Sequence, residues 1–227
     1  MNKQTNHSEA GFTLIEMLVV TTVFGVLAGV AVPNLLSSRL AANEAAVIAT
    51  MRAISTAQYQ FMSSGELDSN QDFGYEYGTL GELAAIDDLR GTNYKLARNL
   101  LSKGGATVDA NGWVTHHGYH FCLYLADSTG AGIAGIPANN GNIDPEMAKS
   151  YWTCVAWPTT AGSTGRRAFF VNQQGQVLQT MDTTYSGTTL VPGAGVGLVG
   201  GDPANINSQA LAIDVNGADG MPWGAVH

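Results

Sequence analysis

Charge is scarce in this chain: Asp, Glu, Lys and Arg together make up 12% of its residues, and the balance is a net −8. No basic run interleaved with aromatics occurs anywhere. A groove for nucleic acid is thereby excluded as the main function, because phosphate binding is driven by clustered Lys and Arg. Cysteine is nearly absent too, with only Cys122 and Cys154. In a reducing cytosol these would be core thiols, whereas outside the cytoplasm a disulfide becomes the better expectation. What the chain does have is apolar residues at 45%, enough for one sizeable core, with 28 glycines and 7 prolines that predict many turns.

The apolar residues are concentrated at the front. Residues 1–11 (MNKQTNHSEAG) are short and polar, and between Phe12 and Leu36 the single charged residue is Glu16. As a helix, 12–36 would be roughly 37 Å long at about 1.5 Å per residue, enough to cross a hydrocarbon core of about 30 Å. A removable secretory signal needs its small-residue cleavage site after the apolar run. Here Ala10 and Gly11 precede it. An acidic side chain deep in a bilayer costs on the order of 2.5–3.5 kcal/mol and normally faces a partner. At the headgroup boundary it would instead be favoured by the positive end of the helix. Cutting after Gly11 would leave Phe12 with a free amine one turn from Glu16, and the two charges could neutralise each other within one chain or between chains.

The run Gly11-Phe12-Thr13-Leu14-Ile15-Glu16 resembles the cleavage and methylation site of type IV prepilins and type II secretion pseudopilins. The resemblance covers roughly residues 1–62. It implies a leader (1–11) removed by a prepilin peptidase between Gly11 and Phe12, and methylation of the Phe12 amine. It also implies a transmembrane and assembly helix (12–36), and a Glu16 carboxylate that meets the Phe12 amine of an adjacent subunit. Partners implied are the prepilin peptidase, an inner-membrane assembly platform and further copies of the chain, in a helical homo- or hetero-polymer. The expected location is a single pass through the inner membrane, N-terminus cytoplasmic, and then an extracytoplasmic filament. Gly29 and Pro33 weaken the helix and predict a bend there.

The apolar pattern continues as an amphipathic helix over 37–64. Leu40, Val47, Met51, Ile54, Gln58 and Phe61 recur at helical spacing, and Ser63-Ser64-Gly65 makes a stop. From 65 to 112 the chain reads as irregular, with helical hints at 80–86 and 94–101. Strand-like runs follow at 118–125, 151–157, 167–172 and 177–181, the last two forming a hairpin about Gln174-Gly175. The fold class expected is α+β: a pilin-like long N-terminal helix laid on an antiparallel sheet, with residues 65–227 an extracytoplasmic globular domain ending in a glycine-rich tail. Strand alternation places Phe121, Leu123 and Leu125 on one face, His120, Cys122 and Tyr124 on the other, and Trp152, Cys154 and Ala156 together. Cys122 and Cys154 could then meet, which predicts a disulfide stabilising by roughly 3–4 kcal/mol in the chain-entropy estimate.

Candidate chemistry is thin. His116, His117 and His120 have no carboxylate or cysteine to complete a zinc set, and Gly162-Ser163-Thr164-Gly165 lacks the spacing of a nucleophile elbow. Asp214, Asn216 and Asp219 alternate like calcium ligands, but no glutamate follows at the required distance. The glycine-rich turn is the default reading there. Because the resembled pseudopilins often bind calcium near their C-terminus, a Ca2+ site at those three residues stays open, and no other cofactor is expected. Nothing supports an active site. The expected role is a pilus-like filament subunit. One alternative is a pseudopilin of type II secretion. The other is a membrane-tethered binding module that never polymerises.

Overall fold

The computed structural model describes residues 11–181, 184–208 and 210–226. Residues 1–10, most of the expected leader, lie outside it. The chain divides into two compact units at Arg39 and Leu40. A single helix, α1 (Leu14–Ser64), contributes to both. In the first unit its side chains are exposed throughout. Phe12, Leu14, Leu18, Phe24, Val26 and Val30 are all at least three-fifths accessible.

In the second unit α1 buries Leu40, Glu44, Val47, Met51, Ile54, Ser55, Ala57, Gln58 and Phe61. The six stripe residues read from the sequence are all among them, because a period of three or four residues confines them to one side of the helix. That side packs on an eight-stranded antiparallel sheet: β1 (Trp113–His116), β2 (Tyr119–Ala126), β3 (Gly132–Ala134), β4 (Trp152–Pro158), β5 (Ala168–Asn172), β6 (Leu178–Thr180), β7 (Val215–Asn216) and β8 (Pro222–Ala225). The spatial order is β1-β2-β4-β5-β6-β8-β7, with β3 on the other end of β2. Two further helices, α2 (Leu80–Leu83) and α3 (Pro145–Ala148), are single turns.

The sheet is buried on both faces. Tyr119, Phe121, Leu123, Trp152, Cys154, Phe169 and Val171 meet Val47, Met51 and Ile54 of α1. On the opposite face Cys122, Val155, Trp157, Phe170 and Leu178 are covered by Tyr185, Val196, Leu198, Leu211 and Trp223 of the glycine-rich tail. β4 is accordingly buried at every position. The tail approaches so closely that a Cβ at Gly195 would lie 2.0 Å from the Asn205 carbonyl oxygen, and one at Gly197 2.4 Å from the Phe170 ring. Only glycine fits such backbone contact. The tail then returns to the sheet as β8, pairing Leu178 with Ala225.

The expected disulfide is not formed. Leu123 pairs with Cys154 and Cys122 with Val155, and directly paired residues share a face. Cys154 therefore points toward α1 and Cys122 toward the tail, so their sulfurs lie on opposite sides of the sheet. Both are buried thiols. Burial pushes the Cys122 thiol up to about 12 and Cys154 well above the usual range, chiefly by desolvation. Alkylation after denaturation without reductant is expected to label both cysteines, and neither before denaturation; an unlabelled oxidised pair would contradict this register.

Two other expectations need revision. Strand β1 was not anticipated. It is joined to β2 by His117-Gly118, at φ +50° and +75°, the two-residue hairpin geometry with both centres left-handed. The segment 94–101 is not helical. Leu96 packs with Phe61, Leu83 and Leu89, while the Leu100 and Leu101 amides both donate to the Leu83 carbonyl, at 2.7 and 3.1 Å. These amides close the C-terminal end of α2, whose last carbonyls have no partner within the helix.

Candidate functional site

The N-terminal segment is organised around Thr13. Its backbone N–H donates to Glu16 Oε2 at 2.9 Å, its hydroxyl donates to the same oxygen at 2.8 Å, and the Glu16 N–H donates to Thr13 Oγ1 at 3.2 Å. With Leu14 the first helical residue, this is a reciprocal capping box, Thr13 at the cap and Glu16 three residues in. Glu16 is thus fixed at the positive end of α1, where the exposed amides favour an anion. Both bonds use Oε2, so the second carboxylate oxygen is not engaged by Thr13. Thr13 was overlooked in the sequence, although Thr-x-x-Glu before an apolar run is its ordinary signature.

Gly11 and Phe12 precede the helix in extended or irregular chain, and Phe12 is 77% accessible. A peptide bond ahead of the first helical turn is geometrically open to an enzyme, because no helical hydrogen bond has to break first. Farther along, the Thr21 and Thr22 hydroxyls donate back to the Met17 and Leu18 carbonyls at 2.7–3.0 Å. Their polarity is thereby hidden from an apolar surrounding. Gly29 and Pro33 belong together: a helical carbonyl normally receives the amide four residues on, and Pro33 has none to give to Gly29. The assigned helix nevertheless runs through both. Gly25 and Gly29, four apart, leave one side of the helix without Cβ atoms, a spacing that permits close helix approach in lipid.

The remaining candidates belong to the second unit. Asp219 accepts from the Tyr185 hydroxyl at 2.5 Å, from Trp223 Nε1 at 3.2 Å and from the Met221 amide at 3.0 Å. It anchors the loop between β7 and β8. Asn216 is exposed on β7 opposite Pro222, and Asp214 sits at φ +57° with its amide on the Trp223 carbonyl. His116 and His117 have ring centroids 3.8 Å apart, whereas His120 lies between Trp113 and Trp157. Burial holds His116 and His120 below the usual histidine range, helped at His116 by His117. Among the described residues no three His, Cys, Asp or Glu side chains are grouped to hold a metal.

Comparison with known proteins bears on both units. Residues 23–184 match the model of a family described as "Protein of unknown function (DUF2950)", and residues 6–32 match the "Prokaryotic N-terminal methylation motif". The chain is 36% identical over 73 residues to the type IV major pilin protein PilA of Myxococcus xanthus, covering 32% of each chain. It is 39% identical over 62 residues to the type IV wide pilus major component PilA4 of Thermus thermophilus, covering 27% of this chain and 47% of the relative. The matched stretch spans less than half the length of either relative. No solved structure matches the chain.

Proposed function

The chain belongs to the family described as "Protein of unknown function (DUF2950)" and to the type IV prepilin and pseudopilin family, and from that premise we propose that it is the structural subunit of a type IV pilus. At the coarser level it is a pilin-like filament subunit anchored by an apolar helix. The finer reading has a prepilin peptidase cut between Gly11 and Phe12 and methylate the new amine on the cytoplasmic side. The subunit then waits in the inner membrane until an assembly platform draws it into the filament. Its role is structural rather than catalytic.

The observation that carries this reading is the Glu16 carboxylate, held by Thr13 at the start of a helix whose apolar first part, before Leu40, is exposed. Such a helix can exchange lipid for a bundle of its own kind. On that exchange the carboxylate would meet the Phe12 amine of an adjacent subunit, and in a medium of low dielectric the attraction is stronger than in water. An unpaired charge there is costly, so the pair selects the correct stagger. The missing amide at Pro33, facing the Gly29 carbonyl, gives a place to bend during packing.

The pilus is favoured over the secretion pseudopilus because both relatives named above are pilus components. Intact-mass and N-terminal analysis of the native protein is the direct test. The expected species begins at Phe12 and carries one methyl group on its amine. A full-length chain with an unmodified leader would overturn the reading and leave a membrane-tethered module.

A further inference from the structure

Phe73 is anomalous in two ways. It is 90% accessible, the most exposed aromatic of the second unit. Its φ of +69° lies in the left-handed region, which a bulky side chain occupies only under constraint. The loop that constrains it is well tied. Asp68 accepts from the Asp72 and Phe73 amides at 3.1 and 2.9 Å, and Asp72 accepts from the Gly74 amide at 2.8 Å. Asn70 bridges Asp72 and Glu146, and Lys149 pairs with both carboxylates. Strain held this firmly, with an apolar ring presented to water, is the pattern of a binding anchor rather than of a slack loop.

The same unit carries a groove that suits such an anchor. It has a volume of about 320 Å³ and is lined by Thr50, Ala53 and Ile54 of α1, the 101–105 turn and His116. The two surfaces differ in charge. Asp68, Asp72 and Glu146 are tied into the Phe73 loop against one cation, Lys149. The groove lining contains no carboxylate, and Lys103, between the lining residues Ser102 and Gly104, is exposed there.

We propose that Phe73 of one subunit docks into the Thr50–Ala53–Ile54 groove of a second copy, as a lateral contact of the filament. Knob and hole are different surfaces, so the contact is heterologous and repeats from copy to copy, the interface type from which open helical filaments are built. An aromatic ring in a desolvated pocket, rimmed by complementary charge, is the composition of an interface hot spot. The contact rests on the filament reading above, and adds to the helix bundle a contact made by the globular units.

The test uses filaments sheared from cells making the full chain with Phe73→p-benzoylphenylalanine, irradiated and digested. The expected result is a subunit dimer whose adduct maps to residues 50–54 or 101–105 of the second copy. Filaments that yield no dimer, or an adduct elsewhere, overturn the contact. Should the crosslinker itself block assembly, Ala53→Trp, which fills the groove from an exposed helix position, decides. It is expected to lower filament yield about tenfold or more, equivalent to about 1.4 kcal/mol per contact, while the detergent-solubilised subunit melts as the parent does. Undiminished yield overturns the contact. Absence of filaments from the unaltered chain would instead show that the filament reading itself fails.

Discussion

Glu16→Ala is expected to leave the subunit in the membrane and to abolish filaments. Close charge pairs at interfaces couple by about 1.5–7 kcal/mol, and each 1.4 kcal/mol is about a tenfold change in affinity. A loss at every subunit contact multiplies along a polymer, so filament recovered by shearing should fall below detection on a blot that still shows the membrane pool. Removing the carboxylate also eases residence in lipid, by about 2.5–3.5 kcal/mol if the site is deep, which pushes in the same direction. Because Glu16 also closes the capping box with Thr13, alanine alone does not separate the two roles. Glu16→Gln does, since glutamine serves equally at the third position of a capping box but carries no charge. If intersubunit pairing is the function, Glu16→Gln fails as Glu16→Ala does, whereas Thr13→Ala, which costs only about 1 kcal/mol of helix capping, still assembles. Filaments from Glu16→Gln at parental yield would reduce Glu16 to a helix cap.

The capping box also shows where reading the sequence falls short. Thr13 and Glu16 stand in plain view three residues apart, but a lone charge in an apolar run poses an electrostatic question and draws attention from the local hydrogen bond. Long-period information was legible: the α1 stripe from Leu40 to Phe61 follows from spacing alone, and β2 and β4 stand out as apolar and aromatic runs of strand length. The disulfide was misjudged because alternation within one strand fixes which residues share a face but not which face meets which across strands. That depends on register, and a shift of one residue turns a whole strand over. With Leu123 opposite Cys154, the cysteines are separated by the sheet itself. Strand β1 escaped because His117-Gly118 is not among the usual Asn-Gly or Asp-Gly turn signals. The Phe73 loop was invisible for a similar reason, since its residues Asn70 and Asp72 are held by Glu146 and Lys149, more than seventy residues away.

Arg90 gives the largest expected loss of stability. It is 4% accessible and lies between Glu76 and Glu82, at 1% and 0%, in the connection that links α1 to the sheet. Its Nη2 is 3.4 Å from Glu76 Oε2 and donates to the Tyr77 carbonyl, and its Nε is 3.4 Å from Glu82 Oε1. The carboxylates are otherwise well satisfied: Ser69 donates twice to Glu76, and Glu82 receives the Thr79 and Arg90 amides. Two acids on one guanidinium mean that Arg90→Ala strands two like charges in a buried space while the Arg90 amide contact persists. Breaking a buried pair in this way costs about 3–5 kcal/mol, a fall of on the order of 10 °C in Tm for a unit of this size. Arg52→Ala, at an exposed position on α1, is the control and should stay within about 0.5 kcal/mol. Thermal melts of the detergent-solubilised full chain, followed by circular dichroism, measure both. The cause is separable from loss of packing. Arg90→Met combined with Glu76→Gln and Glu82→Gln restores volume and removes both charges, and well-packed apolar replacement of buried ions is often neutral or better. Recovery of most of the lost stability in the triple variant, but not in Arg90→Met alone, identifies the stranded carboxylates as the source. Equal losses in the two would instead identify the guanidinium's bond to the Tyr77 carbonyl as what secures the connection to the core.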